Sequence, residues 1–219
     1  MSPFRFLRRA GLRNELARLT ARLRVKRSPN REVLFKQIDR NLQHRNLDNA
    51  IIHSHRMLAV LWKIAPRTNR VLSVGSCNLL EIYAFKGYGF DDIRGVDLLP
   101  AQNDPGFIQV MDMHDLKFAE NSFDILYCSG AFHCSYDPRR LAQEFVRVLA
   151  DRGLVCITVP VNYVTTDVYR VDPGSLEGLR GFFAPHAGEV VWEEVVPGNS
   201  EHNPNRDSIA RTIFRVHKP

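Results

Sequence analysis

The stretch "VLSVGSCNLLE", residues 71–81, carries the reading of the whole chain. An apolar run of strand character ends at Gly75, and a helix start follows. Loops of this shape that hold a nucleotide usually carry further glycines. Here Cys77 and Leu79 stand at those positions, and Ser73 stands where such strands often hold an acid. Asn78 and Glu81 have the spacing of a capping box: Asn78 can accept from the free helix amides and Glu81 can reach back. The tight turn is thereby specified without its last glycine. At Gly75 no side chain intrudes on an approaching ligand. The expectation is an altered cofactor loop. The plain alternative is that Asn78 and Glu81 are helix caps and nothing more.

Outward from this loop, short β-branched runs alternate with helical stretches. "RVLSV", "DIRGVD", "FIQVM", "FDILYCS" and "GLVCITVPV" read as strands, with helices at "NLLEIYAFKGY" and "PRRLAQEFVRVLA". A helix near 173–184 and the strands "GEVVWEEVV" and "IARTIFRVHK" follow. Alternation of this kind gives a mostly parallel sheet covered on both faces. The last two strands have no long helix between them, so an antiparallel pair is expected at one end. The fold class is α/β: a Rossmann-like, doubly wound, mostly parallel sheet of seven strands with an N-terminal helical extension. Residues 1–65 form the expected extension and 66–219 the α/β domain.

The extension is charged differently from the rest. Residues 1–70 hold 17 Lys+Arg against 4 Asp+Glu, and the remainder holds 13 against 20. Helices are expected over 4–27, 31–47 and 48–64. In the first, Phe4, Leu7, Leu12, Leu16, Leu19 and Leu23 recur at helical spacing with arginines between them. Three readings of this arm stand: a solvated cap packed on the sheet by its leucines, a helix lying on an anionic membrane surface, and a polyanion binder. No RNA-binding motif or regular aromatic interleaving supports the third, so nucleic acid is not the expected partner. An acidic protein partner is the other occupant that residues 1–27 would suit. Residues 48–64 are expected to pack on the sheet and roof a ligand.

With 44% hydrophobic and 25% charged residues, the composition is that of an ordinary globular protein. No apolar run is long enough to span a bilayer, and the N-terminus lacks the apolar core of a secretory signal. Cys77, Cys128, Cys134 and Cys156 show no CxxC spacing. Buried free thiols in a reducing cytoplasm are expected, and neither a disulfide framework nor a metal site. Ser/His/Asp, P-loop and metal-ligand spacings are absent from the sequence.

In a doubly wound sheet, ligands bind beyond the carboxyl ends of the strands. There the sequence places Gly75-Ser76-Cys77-Asn78, then Asp97, then Asp112, then "CSGAFHCSYDP" and "PVNYVTTDVYRVDP". Two acids on successive strands suit a nucleoside, because carboxylates accept from ribose hydroxyls and exocyclic amines.

Over residues 71–160 these features resemble a class I S-adenosylmethionine-dependent methyltransferase of the type 11 group. The likeness is carried by "GVDLLP" and by "VMDMHDLKFAENSFDILYCSGAFHCSYDPRRLAQEFVRVLADRGLVCITVP". "DVYRVDPGSLEGL", 167–179, also resembles a stretch that follows strand five in many such enzymes. The resemblance covers about residues 70–217 and leaves the arm out. It implies S-adenosyl-L-methionine as cofactor. Asp97 would hold the ribose, with Leu98 beside it, and Asp112 and Met113 would meet the adenine. Gly75 and Asn78 belong to the first loop, Ser73 and Glu81 lie near the aminoacyl end, and Ser129 completes the set.

His133, on the loop after strand four, is the candidate general base, the alternative being a loop histidine that only packs and hydrogen-bonds. Tyr169 and Arg170 are the candidate substrate contacts, since Arg suits a carboxylate, phosphate or uronate, the alternative being Arg170 as a structural partner of Asp167 or Asp172. Asp137-Pro138 is expected to open the next helix. The activity this implies is methyl transfer to a hydroxyl or other heteroatom of a small molecule or glycan precursor, most simply O-methylation. The alternative is a non-catalytic module of the same fold that binds a protein partner or an anionic membrane. The expected location is the cytoplasm, peripheral at a membrane through the arm.

Overall fold

A computed structural model of the chain describes residues 3–44, 50–76, 79–101, 104–197 and 208–218. Three helices come first: α1 (Pro3–Val25), α2 (Arg31–His44) and α3 (Ala50–Ile64). The alternating unit follows as β1 (Val71–Val74), α4 (Leu80–Gly87), β2 (Ile93–Asp97), β3 (Ile108–Val110), β4 (Phe123–Ser129), α5 (Pro138–Val148) and β5 (Leu149–Val161). It closes with α6 (Leu176–Gly181), β6 (Ala187–Pro197) and β7 (Ser208–Val216). The seven strands form one sheet in the order β3-β2-β1-β4-β5-β7-β6. β1 to β5 run parallel, and β7 is antiparallel to both β5 and β6. The expected antiparallel pair is therefore present, with the last strand inserted inside β6. Strand order reverses between β1 and β4, which opens the crevice at their carboxyl ends.

Apolar runs make this possible. All four residues of β1 are buried, as are the last nine of β5, so helices cover both faces. On one face Leu72, Val74, Leu126, Val155 and Ile157 meet Leu141, Phe145 and Val148 of α5 and Phe183 beyond α6. On the other, Val71, Ile125, Tyr127 and Cys156 meet Ile82 and Phe85 of α4 and Met57, Leu58 and Leu61 of α3. α3 thus packs on the sheet as its sequence suggested. α5 opens as expected: Asp137 is the N-cap, its carboxylate accepts from the Arg140 amide at 3.0 Å, and Pro138 fills the first turn. Burial pushes the Cys128 thiol up to about 12, so it behaves as core rather than as a nucleophile.

The arm departs from its cap reading. Leu16, Leu19 and Leu23 are 65%, 57% and 68% exposed, so the described part of the stripe does not cover the sheet. Instead α1 turns Ala21 and Val25 to α2, where they meet Ile38, Phe35 and Leu42 along with Leu98 and Leu99. Arg18 and Arg22 both reach Asp39, at 2.7 and 2.6 Å, and fix that face inward. The small side chain of Ala21 lets the two helices approach. Apolar spacing alone could not show that the opposite face would win. The side chains of Phe4, Leu7 and Leu12 lie outside the described residues. Among the described residues, no helix is long and apolar enough to cross a membrane.

Candidate active site

A cavity lies beyond the carboxyl ends of β1, β2 and β4. Its walls include Gly75, Ser76, Glu81, Asp97, Leu98, Met111, Asp112, Met113 and Ser129, and α2 supplies the roof through Gln37, Arg40 and Asn41. The roof is thus α2, where the sequence had suggested 48–64. Of the expected cofactor set, Gly75, Glu81, Asp97, Leu98, Asp112, Met113 and Ser129 come together around this one space. Cys77 and Asn78 lie outside the described residues.

Gly75 has φ +77°, the left-handed region where glycine is preferred. A Cβ there would also stand 2.4 Å from the Ala131 Cβ. The missing side chain therefore makes room for the loop after β4 as much as for a ligand. Behind it runs a buried polar chain. Ser76 Oγ donates to Ser73 at 2.8 Å, and Ser73 Oγ donates to Glu81 Oε2 at 2.8 Å. Ser73 is fully buried and does not reach the cavity wall, whereas Glu81 does. The acid missing from β1 is replaced here by one from α4, pointing back at the same place.

The capping-box expectation rests on Asn78, which lies outside the described residues. α4 starts at Leu80 with Leu79 at the N-cap and no side-chain cap hydrogen bond. The Glu81 carboxyl is occupied by Ser73. Burial raises its pKa to about 7, the nearby Asp97 charge adds to the rise, and the Ser73 hydrogen bond opposes it.

Asp97 ends β2 and is 5% exposed. Its Oδ1 accepts from the Leu99 amide at 3.0 Å and from Asn41 Nδ2 of the roof at 3.3 Å. Asp112 is committed on both oxygens. Oδ1 takes the His114 amide at 3.0 Å and lies 2.8 Å from His114 Nδ1, while Oδ2 takes the Tyr136 hydroxyl at 2.8 Å. Burial works to raise the Asp112 pKa, but the bonds from His114 and Tyr136 outweigh it and hold the carboxyl below its usual range. The Tyr136 ring stacks on His114 at 3.7 Å, and His114 Nε2 contacts Ser135 Oγ at 2.7 Å. Asp112 therefore anchors the wall through this network.

The acceptor side differs from expectation. His133 sits in a short 3-10 turn, Phe132–Cys134, with its ring buried against Tyr169 (4.7 Å) and Tyr163 (6.2 Å). That ring is not in the cavity wall; its neighbour Cys134 is. The residue the sequence offered as a base is turned one position out of line, because the turn packs Phe132 into the core and directs the imidazole under the tyrosines. The His133 carbonyl accepts from the Arg170 and Val171 amides at 2.8 and 3.1 Å, which ties the later loop to the turn. Tyr169 carries the Arg40 guanidinium over its ring at 4.1 Å and so joins the roof. Arg170 faces a separate, polar depression lined also by Tyr136, Thr166 and Asp167. Asp167 is paired with Lys36 of α2 at 2.6 Å.

Sequence reading missed the roof and His114. Gln37, Arg40 and Asn41 occupy one helical face at spacings of three and four, a polar cluster that was readable as such. His114 lies two residues after Asp112, a spacing that permits the local bond seen here.

Residues 72–157 match the family described as "Methyltransferase domain". No curated protein matches the chain. Among solved structures, a Burkholderia thailandensis 1,6-didemethyltoxoflavin-N1-methyltransferase with bound S-adenosylhomocysteine is 15% identical, at TM-score 0.65, with 84% of this chain and 87% of that one covered. A Haloferax volcanii methyltransferase complexed with the Trm112 activator gives 16% identity, TM-score 0.63, and coverage of 82% and 95%. The [4+2]-cyclase SpnF gives 15%, 0.57, and coverage of 75% and 81%. At such identities the likeness is one of fold, and the cyclase shows that the fold alone does not fix the reaction. Residues 72–157 thus match a methyltransferase domain, on a fold shared with class I methyltransferases. S-adenosylmethionine is the cofactor of that domain.

Proposed function

We propose that the chain transfers a methyl group from S-adenosylmethionine to a hydroxyl or other heteroatom of a small molecule or glycan precursor. The observation that carries this reading is the pair of buried acids, Glu81 and Asp97, in the wall of one cavity at the strand-order switch. Three carboxylates line that cavity against the single guanidinium of Arg40, so a ligand bearing positive charge is favoured. Asp97 suits the ribose hydroxyls, with Asn41 of the roof beside it. Leu98, Met111 and Met113 supply apolar surface for the adenine. Glu81 suits the ammonium of the aminoacyl end, held in place by Ser73.

The bound cofactor supplies a methyl group on a positively charged sulfur. The chain's own residues hold the two reactants in line and exclude water beneath α2. On transfer the carbon–sulfur bond would break to leave a neutral thioether as the acceptor's bond to the methyl forms, and the acceptor's proton would pass to solvent. The acceptor reaches this point from the side of Cys134, Val168 and Tyr169. Arg170 in the adjoining depression suits an anionic group on it. His133 acts in this scheme by supporting Tyr169, not by facing the reacting atoms. The test is mass spectrometry of the purified protein together with transfer of isotope-labelled methyl to hydroxyl and amine acceptors. Retained cofactor or demethylated cofactor, with label reaching an oxygen or nitrogen, supports the reading. Label transfer to neither defeats it.

One observation favours a second role alongside the first. Leu16, Leu19 and Leu23 lie exposed on a helix whose segment 1–27 holds nine Lys+Arg and one Glu. An apolar stripe flanked by cations suits an anionic membrane surface, and an acidic partner protein would meet the same need. Flotation with anionic vesicles at low and high salt, full chain against a chain lacking residues 1–27, separates these. Loss of flotation on truncation supports membrane attachment, and absence of flotation at low salt rejects it.

A further inference from the structure

The turn joining α1 to α2, the segment after β3 and the start of α5 enclose another cleft, lined by Arg24, Arg27, Lys117, Arg140 and Tyr136. It shares Met111 and Asp112 with the cofactor cavity, so the two spaces are separated by a single wall. The carboxylates in this cleft are already engaged. Asp115 pairs with Lys117 at 2.5 Å, and Asp112 is held by His114 and Tyr136. The guanidinium groups of Arg24, Arg27 and Arg140 have no acceptor among the described residues.

Other arginines of the chain contrast with these. Arg18 and Arg22 share Asp39, Arg70 grips Asp124 and Arg147 grips Glu144. Each of these four guanidiniums rests on a carboxylate. Here three guanidiniums from two separate segments line one cleft, and no carboxylate bonds to any of them among the described residues. An anion would supply the missing partner.

We propose that this cleft binds a phosphate group. The planar fork of arginine matches phosphate oxygens, and a dianion meets three cations brought from both sides of the cleft. The inference is independent of the methyl-transfer reading. The phosphate has two possible sources: a soluble phosphate or phosphate ester, and the headgroup of an anionic lipid lying under the exposed leucines of α1.

The test uses the full chain, inorganic phosphate and pyrophosphate by calorimetry, and flotation with vesicles of phosphatidic acid in phosphatidylcholine. Saturable binding of at least one probe is expected, weakened at least about tenfold by Arg27→Gln with Arg140→Gln. Both positions are exposed, so the unfolding temperature should hold; the single Arg24→Gln variant is read in the same way if it does not. Lys26→Gln, an exposed charge outside the cleft, should leave binding unchanged. Saturation by a soluble probe assigns a soluble ligand, and saturation by phosphatidic acid vesicles alone assigns a headgroup. No saturable binding by any probe, equal binding by the double variant, or equal weakening by Lys26→Gln overturns the proposal.

Discussion

The cavity wall beyond β1 and β2 and the loop beyond β4 and β5, which the proposed function assigns to cofactor and acceptor, are built on opposite plans. Beyond β1 and β2, the functional groups stand on strand ends or the first turn of a helix and are buried. Glu81 and Asp97 are each 5% exposed, and each has a named partner. Beyond β4 and β5, the groups stand on the segment 162–175, where Arg170 is exposed and Tyr169 is held by rings and a cation. Rigid elements place atoms for a ligand that does not vary, while a loop shaped by side-chain packing can be altered for different acceptors without disturbing the sheet. The first half can therefore be tested by stability and cofactor affinity together, and the second by acceptor kinetics alone.

The largest effect should come from Gly75→Ala. The left-handed backbone and the approach to Ala131 act together there. Strain of about 1–3 kcal/mol plus the displaced loop should lower the melting temperature by roughly 5–10 °C and remove cofactor binding. A scanning calorimetry trace that matches wild type would break the claim that this turn is fixed by steric fit.

Glu81→Gln should show as a change in pH dependence. The folded-state pKa is raised to about 7, so the folded chain binds more protons than the unfolded one between the ordinary carboxyl range and 7. The contribution of Glu81 to stability is full at acid pH and lost as pH rises through 7, and the Gln variant should lack that slope. Cofactor binding runs the other way. An ammonium favours the ionised carboxyl, so affinity should fall about tenfold per pH unit below 7 in wild type and stay level in the variant. Parallel profiles for the two proteins would separate Glu81 from the ligand's charged end.

Arg40→Ala sits at the join between the halves. It removes a cation–ring contact worth about 0.5–2 kcal/mol, so the acceptor's KM should rise several-fold with a smaller change in cofactor affinity. The smallest effect belongs to Arg170→Ala, an exposed residue. The melting temperature should hold within about 2 °C, and only acceptors carrying an anionic group should respond in steady-state kinetics.

The same contrast explains what was legible in the sequence. Strand runs such as "VLSV" and "FDILYCS" announce themselves because both faces are buried, and Asp97 follows from its place at a strand end. Gly75 was readable for the same reason, although the neighbour that makes it necessary, Ala131, is 56 positions further along. Helix faces were less legible. The spacing of Leu16, Leu19 and Leu23 states that a stripe exists but not which way it points, and the Asp39 pairing with Arg18 and Arg22 decides that from a different helix. The direction of the His133 ring was not legible at all, because it depends on Tyr163 and Tyr169, brought in by a later loop.

The central claim is that Asp97 and the cavity around it hold S-adenosylmethionine. Isothermal titration of the cofactor into wild type and Asp97→Ala, at one pH and with unfolding curves recorded in parallel, tests it most directly. The account predicts one saturable site in wild type and binding weaker by about tenfold to a hundredfold in the variant, the loss of a charged hydrogen-bond acceptor, with the fold retained. Equal affinities in two folded proteins, or no binding by wild type, would contradict it.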